Sequence, residues 1–294
     1  MNRRAFLASS AALAAGALGA QERTAVVDGH VHCFAGTADP RFPYHAQAPY
    51  RPEAPATPEH LLRLMDEAGV DHAVVVHPEP YQDDHRYLAH CLEVGRGRLK
   101  GTVLFFADRP GWEAALKEAA KTLPVVAARV HAYAPDRLPP FGKPELRALW
   151  KAAVDLGLAV QIHFEPRYAA GFEPYLDEFR STVIVDHLGR PLQGTPEEHE
   201  RVVRWAEKYP HTVMKLSQFA PTTSYPHRDI TPIVRRLADA YGADRMVYGG
   251  GYDAGATAES YRATRERARA LVAHLSPADQ AKVLGGTARR LFRL

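Results

Sequence analysis

Two histidines near the N-terminus have the spacing of a metal site or a proton-transfer site. Residues 26–32 read Val-Val-Asp-Gly-His-Val-His, so His30 and His32 are separated by one residue. On a β-strand, residues i and i+2 point to the same side. Both imidazoles, together with the carboxylate of Asp28, are therefore expected to project from one face of a strand. Imidazole nitrogens bind divalent metals and transfer protons. The competing interpretation is a polar strand end without a ligand.

The elements that must position these side chains follow a repeating pattern. Short apolar runs rich in Val and Ile alternate with amphipathic stretches, and the runs mostly lack polar–apolar alternation, which is typical of parallel strands buried on both faces. The predicted strands are Ala25–Val31, His72–His77, Leu99–Phe105, Val125–His131, Leu158–His163, Thr182–His187, Thr212–Leu216 and Arg245–Gly249. The predicted helices are Pro58–Ala68, Asp84–Gly95, Gly111–Leu123, Lys143–Leu156, Phe172–Arg180, Pro196–Lys208, Ile230–Tyr241 and Ala256–His274.

This alternation predicts an α/β fold, a single-domain (β/α)8 TIM barrel. An open doubly wound sheet is the alternative, but no Gly-x-Gly-x-x-Gly motif follows the first predicted strand. In a barrel, the C-terminal ends of the strands meet at one mouth, where the chemistry takes place. Histidines or cations occupy six of the eight predicted ends: His30 and His32, His77, Arg129 and His131, His163, His187, and Lys215.

Such a mouth is positively charged when its histidines are protonated, which favours a small anionic or carbonyl-bearing substrate. For Arg129 and Lys215 an alternative stays open, in which they form internal ion pairs across the barrel. The net charge of the chain is only +3 and is dispersed, which argues against nucleic acid as a partner. Cys33 and Cys91 are the two cysteines; they do not make a disulfide framework and are expected to be small buried residues.

The first twenty residues have the features of an export signal. Paired arginines at residues 3–4 precede Phe6-Leu7 and an Ala-rich apolar run that ends at Ala20. A basic start, a short apolar stretch and small residues are typical of a secretory signal, and the paired arginines resemble the twin-arginine type. We therefore divide the chain into a signal peptide, residues 1–20, and a barrel domain, residues 21–294. A periplasmic or secreted protein is expected, without a stable membrane anchor because the apolar run is too short.

Several motifs together resemble the amidohydrolase superfamily, in the amidohydrolase-related branch that includes pyrone dicarboxylate lactonase and sugar-lactone hydrolases. Residues 28–32 are similar to the first-strand signature of that branch. Residues 185–191, Val-Asp-His-Leu-Gly-Arg-Pro, are similar to its sixth-strand motif, and residues 283–292 to its C-terminal helix. The resemblance covers nearly all of the barrel domain. It implies a hydrolase that opens a lactone or a related cyclic ester of a carboxylate or sugar acid.

The resemblance also implies the parts of a site. His30, His32 and His163 are candidate ligands of a divalent metal such as zinc, with an open position for water. Without a metal, the same imidazoles would polarise a carbonyl by hydrogen bonding. His187 is a candidate acid or orienting group, and Asp28 is expected to fix a histidine tautomer. The candidate substrate-binding residues are His77, Arg129, Arg190 and Lys215.

The chain departs from the family pattern at the end of the eighth strand. There the family has Gly-Ser-Asp or Gly-Thr-Asp, whose carboxylate binds metal or accepts a proton from water. Residues 248–253 read Tyr-Gly-Gly-Gly-Tyr-Asp, so Gly251 stands where that carboxylate is implied. Asp253 is the candidate replacement base. The departure leaves two other classes open: an impaired barrel that binds a small acid, and a non-hydrolytic decarboxylase or hydratase.

Overall fold

The described part of the chain forms an eight-stranded parallel barrel. A computed structural model describes residues 24–132, 141–219 and 229–294. The strands are β1 Val27–Val31, β2 His72–Val76, β3 Leu99–Leu104, β4 Val125–Ala132, β5 Ala159–Phe164, β6 Val183–Val185, β7 Thr212–Leu216 and β8 Met246–Tyr248. Each strand pairs in parallel with the next, in the order β1 to β8. The predicted (β/α)8 barrel is confirmed.

Helices alternate with these strands. They are α1 Pro58–Ala68, α2 Arg86–Val94, α3 Trp112–Thr122, α4 Glu145–Asp155, α5 Ala169–Glu178, α6 Pro196–Lys208, α7 Thr231–Tyr241, α8 Ala258–Leu271, α9 Pro277–Ala281 and α10 Thr287–Phe292. The sequence determines several of their ends locally. The Thr57 hydroxyl accepts a hydrogen bond from the first turn of α1, and Thr195 forms a capping box with Glu198 at the start of α6.

The barrel interior is apolar at one end and polar toward the C-terminal ends of the strands. The apolar end consists of Val27, Val74, Val76, Ala127, Ile184, Val213 and Val247, which pack against Ala288 and Phe292 of α10. Side chains alternate along each strand, so Ala127, Arg129 and His131 lie on one face of β4 in successive layers. The polar layers are therefore stacked directly below the mouth, as expected for a filled barrel.

Glycines at the seam between β8 and β1 bring these two strands into close contact. A Cβ atom on Gly249 would lie 2.7 Å from the backbone nitrogen of His30, and a Cβ on Gly29 would lie 2.9 Å from the carbonyl oxygen of Tyr248. Only glycine leaves room for this approach. The carboxylate of Asp28 spans the seam, since its Oδ1 accepts from the backbone N–H groups of Gly250 at 2.7 Å and His30 at 2.9 Å.

Some predictions concern features outside the barrel interior. Within the described ranges, none of the helices combines the length and the apolar composition that a membrane crossing requires. The predicted signal peptide, residues 1–20, lies outside the described residues and stays a prediction. Cys33 and Cys91 are both buried free thiols, which agrees with the expectation that they pack as small residues.

Candidate active site at the mouth of the barrel

Four of the predicted histidines meet at the C-terminal ends of the strands. We call His30, His32, His163 and His187 the mouth histidines. The ring centroids of His30 and His32 are 4.9 Å apart, those of His30 and His187 are 4.5 Å apart, and those of His163 and His187 are 4.9 Å apart. Two of the four are buried and two are half-buried. The structure therefore brings together residues that are up to 157 positions apart in the chain, between 30 and 187.

Hydrogen bonds determine which nitrogens of the first-strand histidines carry protons. The Nδ1 of His32 lies 2.7 Å from the carbonyl oxygen of Val76, which only accepts, so this nitrogen is the donor. A neutral His32 therefore has its lone pair on Nε2, which lies 3.2 Å from the Nε2 of His30. The His30 Nε2 must then donate, which leaves its Nδ1 to accept from the Lys215 ammonium at 3.2 Å. A chain of hydrogen bonds therefore runs from Lys215 through His30 and His32 to Val76, and each residue donates to the next.

The tautomer of His163 follows from a single contact. Its Nδ1 lies 3.0 Å from a guanidinium nitrogen of Arg129. Arginine has no acceptor nitrogen, so Arg129 donates and His163 Nδ1 holds the lone pair. In the neutral imidazole the proton is therefore on Nε2. This nitrogen is consequently a hydrogen-bond donor, as a group that polarises a carbonyl must be.

Asp186 is the anionic centre of the polar interior. Its Oδ2 accepts from Arg129 Nε at 3.0 Å and from the Gln161 amide at 2.9 Å, and its Oδ1 lies 3.0 Å from Lys215 Nζ. Arg129, Asp186 and Lys215 are all buried. Burial alone would raise the pKa of Asp186, but the charges of Lys215 and Arg129 outweigh it and hold the pKa well below its usual value. Arg129 and Lys215 thus form internal ion pairs with Asp186, which is the alternative considered for them in the sequence.

Burial makes the mouth histidines neutral near pH 7. It lowers the pKa values of His30, His163 and His187 well below 6.5 and that of His32 to about 3, and the nearby cations lower them further. The condition for a mouth made positive by its histidines, that they are protonated, is therefore not met near pH 7. The positive charges that face these rings are those of Arg129 and Lys215, which are partly balanced by Asp186.

Three side chains of the kinds that bind divalent metals lie close together. Ligand atoms of His30, Asp186 and His187 all lie within 4.8 Å. Their bonding nevertheless does not fit a metal, because the Lys215 ammonium already lies 3.0 Å from the carboxylate and 3.2 Å from His30 Nδ1. The ammonium thus contacts both atoms, which themselves lie 3.5 Å apart.

The predicted ligand set of His30, His32 and His163 stays a prediction, and these three rings make other contacts in this structure. The lone pair of His163 faces the Arg129 guanidinium, and that of His30 faces Lys215. The lone pair of His32 accepts from His30. In this arrangement each of these lone pairs faces another group.

A left-handed turn after β6 positions His187. His187, Leu188, Gly189 and Arg190 have successive φ angles of 55°, 58°, 68° and 53°. Non-glycine residues in a left-handed helical conformation cost about 1–2 kcal/mol each, and such strain is concentrated at functional sites. A Cβ on Gly189 would lie 2.8 Å from Val202, so this position requires glycine. The turn places His187 Nδ1 2.8 Å from the Ser217 hydroxyl, a partner that sequence analysis missed.

The eighth-strand turn does not supply a carboxylate to the mouth. Asp253 is exposed, and its Oδ1 accepts from the backbone N–H of Gly255 at 2.8 Å, which corrects the prediction that it replaces the missing base. Gly251 has a φ of 123°, and a Cβ there would lie 3.0 Å from the Thr264 side chain on α8. A side chain at 251 would therefore point toward α8.

Asp28 also differs from its expected role. Both of its oxygens accept hydrogen bonds at the seam between β8 and β1. Oδ1 accepts from two backbone N–H groups, and Oδ2 accepts from the Tyr261 hydroxyl at 2.8 Å. It does not hold a histidine tautomer. Burial raises its pKa to about 6 against the opposing effect of these hydrogen bonds.

The remaining predicted residues lie around the cluster. His77 is buried below the loop after β2, where its Nε2 donates to the carbonyl of Gln82 at 2.7 Å and its ring packs on His85. Arg190 is half-buried at the end of the left-handed turn. Next to His163 lies His131, whose ring centroid is 5.4 Å away, and His131 Nδ1 is 3.2 Å from a carboxylate oxygen of Glu79.

Comparisons with known proteins agree with this architecture. The sequence profile described as amidohydrolase matches residues 27–294. The chain is 27% identical over 233 residues to 4-sulfomuconolactone hydrolase from Hydrogenophaga intermedia, covering 76% of this chain and 72% of that protein. It is 26% identical over 269 residues to L-fucono-1,5-lactonase from Burkholderia ambifaria, covering 81% and 85%. A solved structure described as a putative 2-pyrone-4,6-dicarboxylic acid hydrolase from Pseudomonas putida superimposes with a TM-score of 0.72 at 23% identity, covering 92% and 98%.

Proposed function

Because this chain belongs to the amidohydrolase family, we propose that it hydrolyses a lactone or related cyclic ester that carries a carboxylate, without a metal ion. The observation that carries the proposal is the donor state of His163, whose Nε2 keeps a proton because Arg129 donates to Nδ1. Similarity to two named lactone hydrolases supports the substrate class. The contacts of the Lys215 ammonium with His30 and Asp186 support a metal-free reaction.

The chemistry assigned to the mouth is stabilisation of a negatively charged oxygen. His163 Nε2–H donates to the lactone carbonyl, and this bond strengthens as water adds and the oxygen becomes negative. Arg129 holds the imidazole in the donor tautomer and adds positive charge behind it. His187 Nε2 has no hydrogen-bond partner among the described residues. With the Ser217 hydroxyl donating to Nδ1, this Nε2 donates to the ring oxygen of the substrate.

The substrate carboxylate is assigned to Arg190. This residue follows the left-handed turn that carries His187, so the two side chains are positioned by the same backbone. A guanidinium binds a carboxylate through two parallel hydrogen bonds. Replacement by lysine keeps the charge but loses that geometry. Arg190→Lys should therefore raise KM for carboxylate-bearing lactones more than for neutral ones.

The experiment is a turnover assay with a matched pair of variants. Purified protein is treated with EDTA and tested by pH-stat against sugar-acid lactones and unsaturated dicarboxylate lactones. The amide of Gln reaches the position of an imidazole Nε2, whereas the amide of Asn reaches that of Nδ1. His163→Asn should lower kcat by roughly 10²- to 10³-fold, the cost of one oxyanion donor, and His163→Gln should retain more activity.

Other outcomes favour the other classes. A wild-type protein that binds lactones or small acids tightly but opens no ring is an impaired binding barrel. Carbon dioxide release from carboxylated substrates indicates a decarboxylase. Equal loss in His163→Asn and His163→Gln would contradict donation from Nε2.

The predicted signal peptide leads to a proposal on location. Residues 1–20 have the basic, apolar and small-residue segments of an exported protein. We expect the mature chain to begin near residue 18 or 21 in the periplasmic fraction. N-terminal sequencing tests this expectation, and full-length protein confined to the cytoplasm would contradict it.

A further inference from the structure

The Glu79–His131 pair, beside the mouth histidines, is a carboxylate next to an imidazole. Glu79 Oε1 lies 3.2 Å from His131 Nδ1, and the two side chains are only 8% and 1% exposed. His131 is paired in register with His163 on the adjacent strand, and their rings meet edge to face. The pair therefore reaches the same mouth from its other side.

The backbone that carries Glu79 is restricted by the prolines on both sides. Glu79 stands between Pro78 and Pro80 in a short 3-10 helix that directly follows β2, and its carbonyl accepts from the backbone N–H of Gln82 at 2.8 Å. Proline restricts the backbone on both sides of the residue. His131 is held by β4. Neither side chain thus depends on a flexible segment for its position.

The reaction needs a base that the eighth strand does not provide. Residues 249–251 are glycines, and Asp253 faces solvent. His30 and His163 have their Nδ1 lone pairs directed at cations, and His32 accepts from His30. We propose that His131 is the catalytic base that activates water for lactone opening, and that Glu79 is the positioning residue that orients it. This inference rests on the proposed lactone hydrolysis.

The step balances without any co-reactant. The Glu79 carboxylate, 3.2 Å from Nδ1, can only accept, so the proposal assigns the His131 proton to Nδ1 and the lone pair to Nε2. As the water oxygen forms a bond to the carbonyl carbon, the C=O π bond opens and its electron pair moves onto the carbonyl oxygen, while one water O–H bond breaks and its proton moves to His131 Nε2. The carbonyl then re-forms as the ring C–O bond breaks; the electron pair of that bond stays on the ring oxygen, which takes the proton from His131. The products are a hydroxyl and a carboxylic acid that ionises in solution.

The charges around His131 favour this role. The Arg129 cation and the carboxylates of Glu79 and Asp186 face it, together with the neutral ring of His163. Burial and Arg129 lower the pKa of His131, while Glu79 raises it, with a net lowering. His131 is therefore unprotonated near pH 7. Protonation of Nε2 produces an imidazolium that the Glu79 carboxylate stabilises.

The first test uses Glu79→Gln, with Glu165→Gln as the matched control. Glu165 follows β5, and its carboxylate pairs with Arg167 at 2.6 Å. Glu79→Gln should lower kcat on the order of 10- to 100-fold with little change in KM, and His131→Asn by roughly 10²- to 10⁴-fold. The acid limb of the kcat/KM profile should move to lower pH in Glu79→Gln, because the carboxylate that raises the pKa of His131 is gone. Glu165→Gln should match the wild type in both measurements.

The second test needs no substrate and no variant. Nitrogen-15 NMR of the wild-type protein distinguishes the two imidazole tautomers. His131 should show a protonated Nδ1 and His163 a protonated Nε2. A His131 protonated on Nε2, or a Glu79→Gln variant with the wild-type kcat and acid limb, would overturn the base assignment in an active enzyme. A wild type that opens no lactone would instead overturn the proposed function and the catalytic role with it.

Discussion

The substitution Asp186→Asn tests the interior ion-pair network most directly. Asparagine keeps the size of the side chain and removes its charge. Arg129 and Lys215, which are 3% and 0% exposed, then lose the carboxylate that lies about 3 Å from each of them. Removal of one partner from a buried ion pair costs about 3–5 kcal/mol, because an uncompensated charge is left in the interior. We expect the free energy of unfolding to fall by an amount in that range.

The assay is urea-induced unfolding, supported by thermal melting. A loss of this size corresponds to a decrease in Tm of roughly 6–20 °C for a domain of about this length. The control is Asp244→Asn, which breaks the exposed Asp244–Lys282 pair. Exposed pairs contribute about 0–1 kcal/mol, so this variant should melt close to the wild type.

The pH dependence adds a second criterion. The folded-state pKa of Asp186 lies below its unfolded value, so its stabilising contribution is present above about pH 4 and is lost as the pH falls through the folded pKa. The difference in free energy of unfolding between the wild type and Asp186→Asn should therefore become smaller under acidic conditions. If the variant unfolds within about 0.5 kcal/mol of the wild type at pH 7, the assignment of Asp186 as the counterion of both cations is refuted.

Three further predictions concern the mouth. Because the mouth histidines have lowered folded-state pKa values, their contribution to the free energy of unfolding is fully present above about pH 6.5 and declines below it. The free energy of unfolding should therefore rise from pH 5 to 7. The rise should be steeper in Asp28→Asn, since the raised pKa of Asp28 acts in the opposite sense. Added zinc should not raise the Tm of the wild type, whereas it should raise the Tm of Lys215→Ala. A wild type purified with stoichiometric zinc would contradict our interpretation of Lys215. Gly251→Asp should lower the Tm without raising activity, because φ is 123° and the new side chain meets Thr264; a gain in lactonase activity would show that the turn can reach the mouth.

Local patterns in the sequence were enough to predict the barrel and the convergence of its strand ends. Apolar runs bounded by helix caps such as Thr57 and Thr195 identify the alternation of strands and helices. Once that alternation is known, the side chains that end parallel strands must meet at one mouth. Three of the four mouth histidines, His30, His163 and His187, were identifiable as candidates in this way, and His32 followed from the two-residue period of β1.

What the sequence could not predict was how these groups are paired. Whether Lys215 binds a substrate or an internal carboxylate depends on Asp186, which is distant in sequence and is brought within 3.0 Å by the pairing of β6 with β7. The proton positions on His30 and His163 depend on the cations that face them, and those contacts join different strands. Glu79 likewise becomes a partner of His131 only because the loop after β2 folds over β4.

Residue types and spacing therefore determine which side chains are delivered to the mouth, because alternation and strand ends are properties of the local chain. The donor state of each imidazole, the contacts of the Lys215 cation with the potential metal ligands and the location of the base are decided by contacts between strands. Burial makes those contacts decisive, since a charge or a lone pair in the interior has no water to compensate for a missing partner.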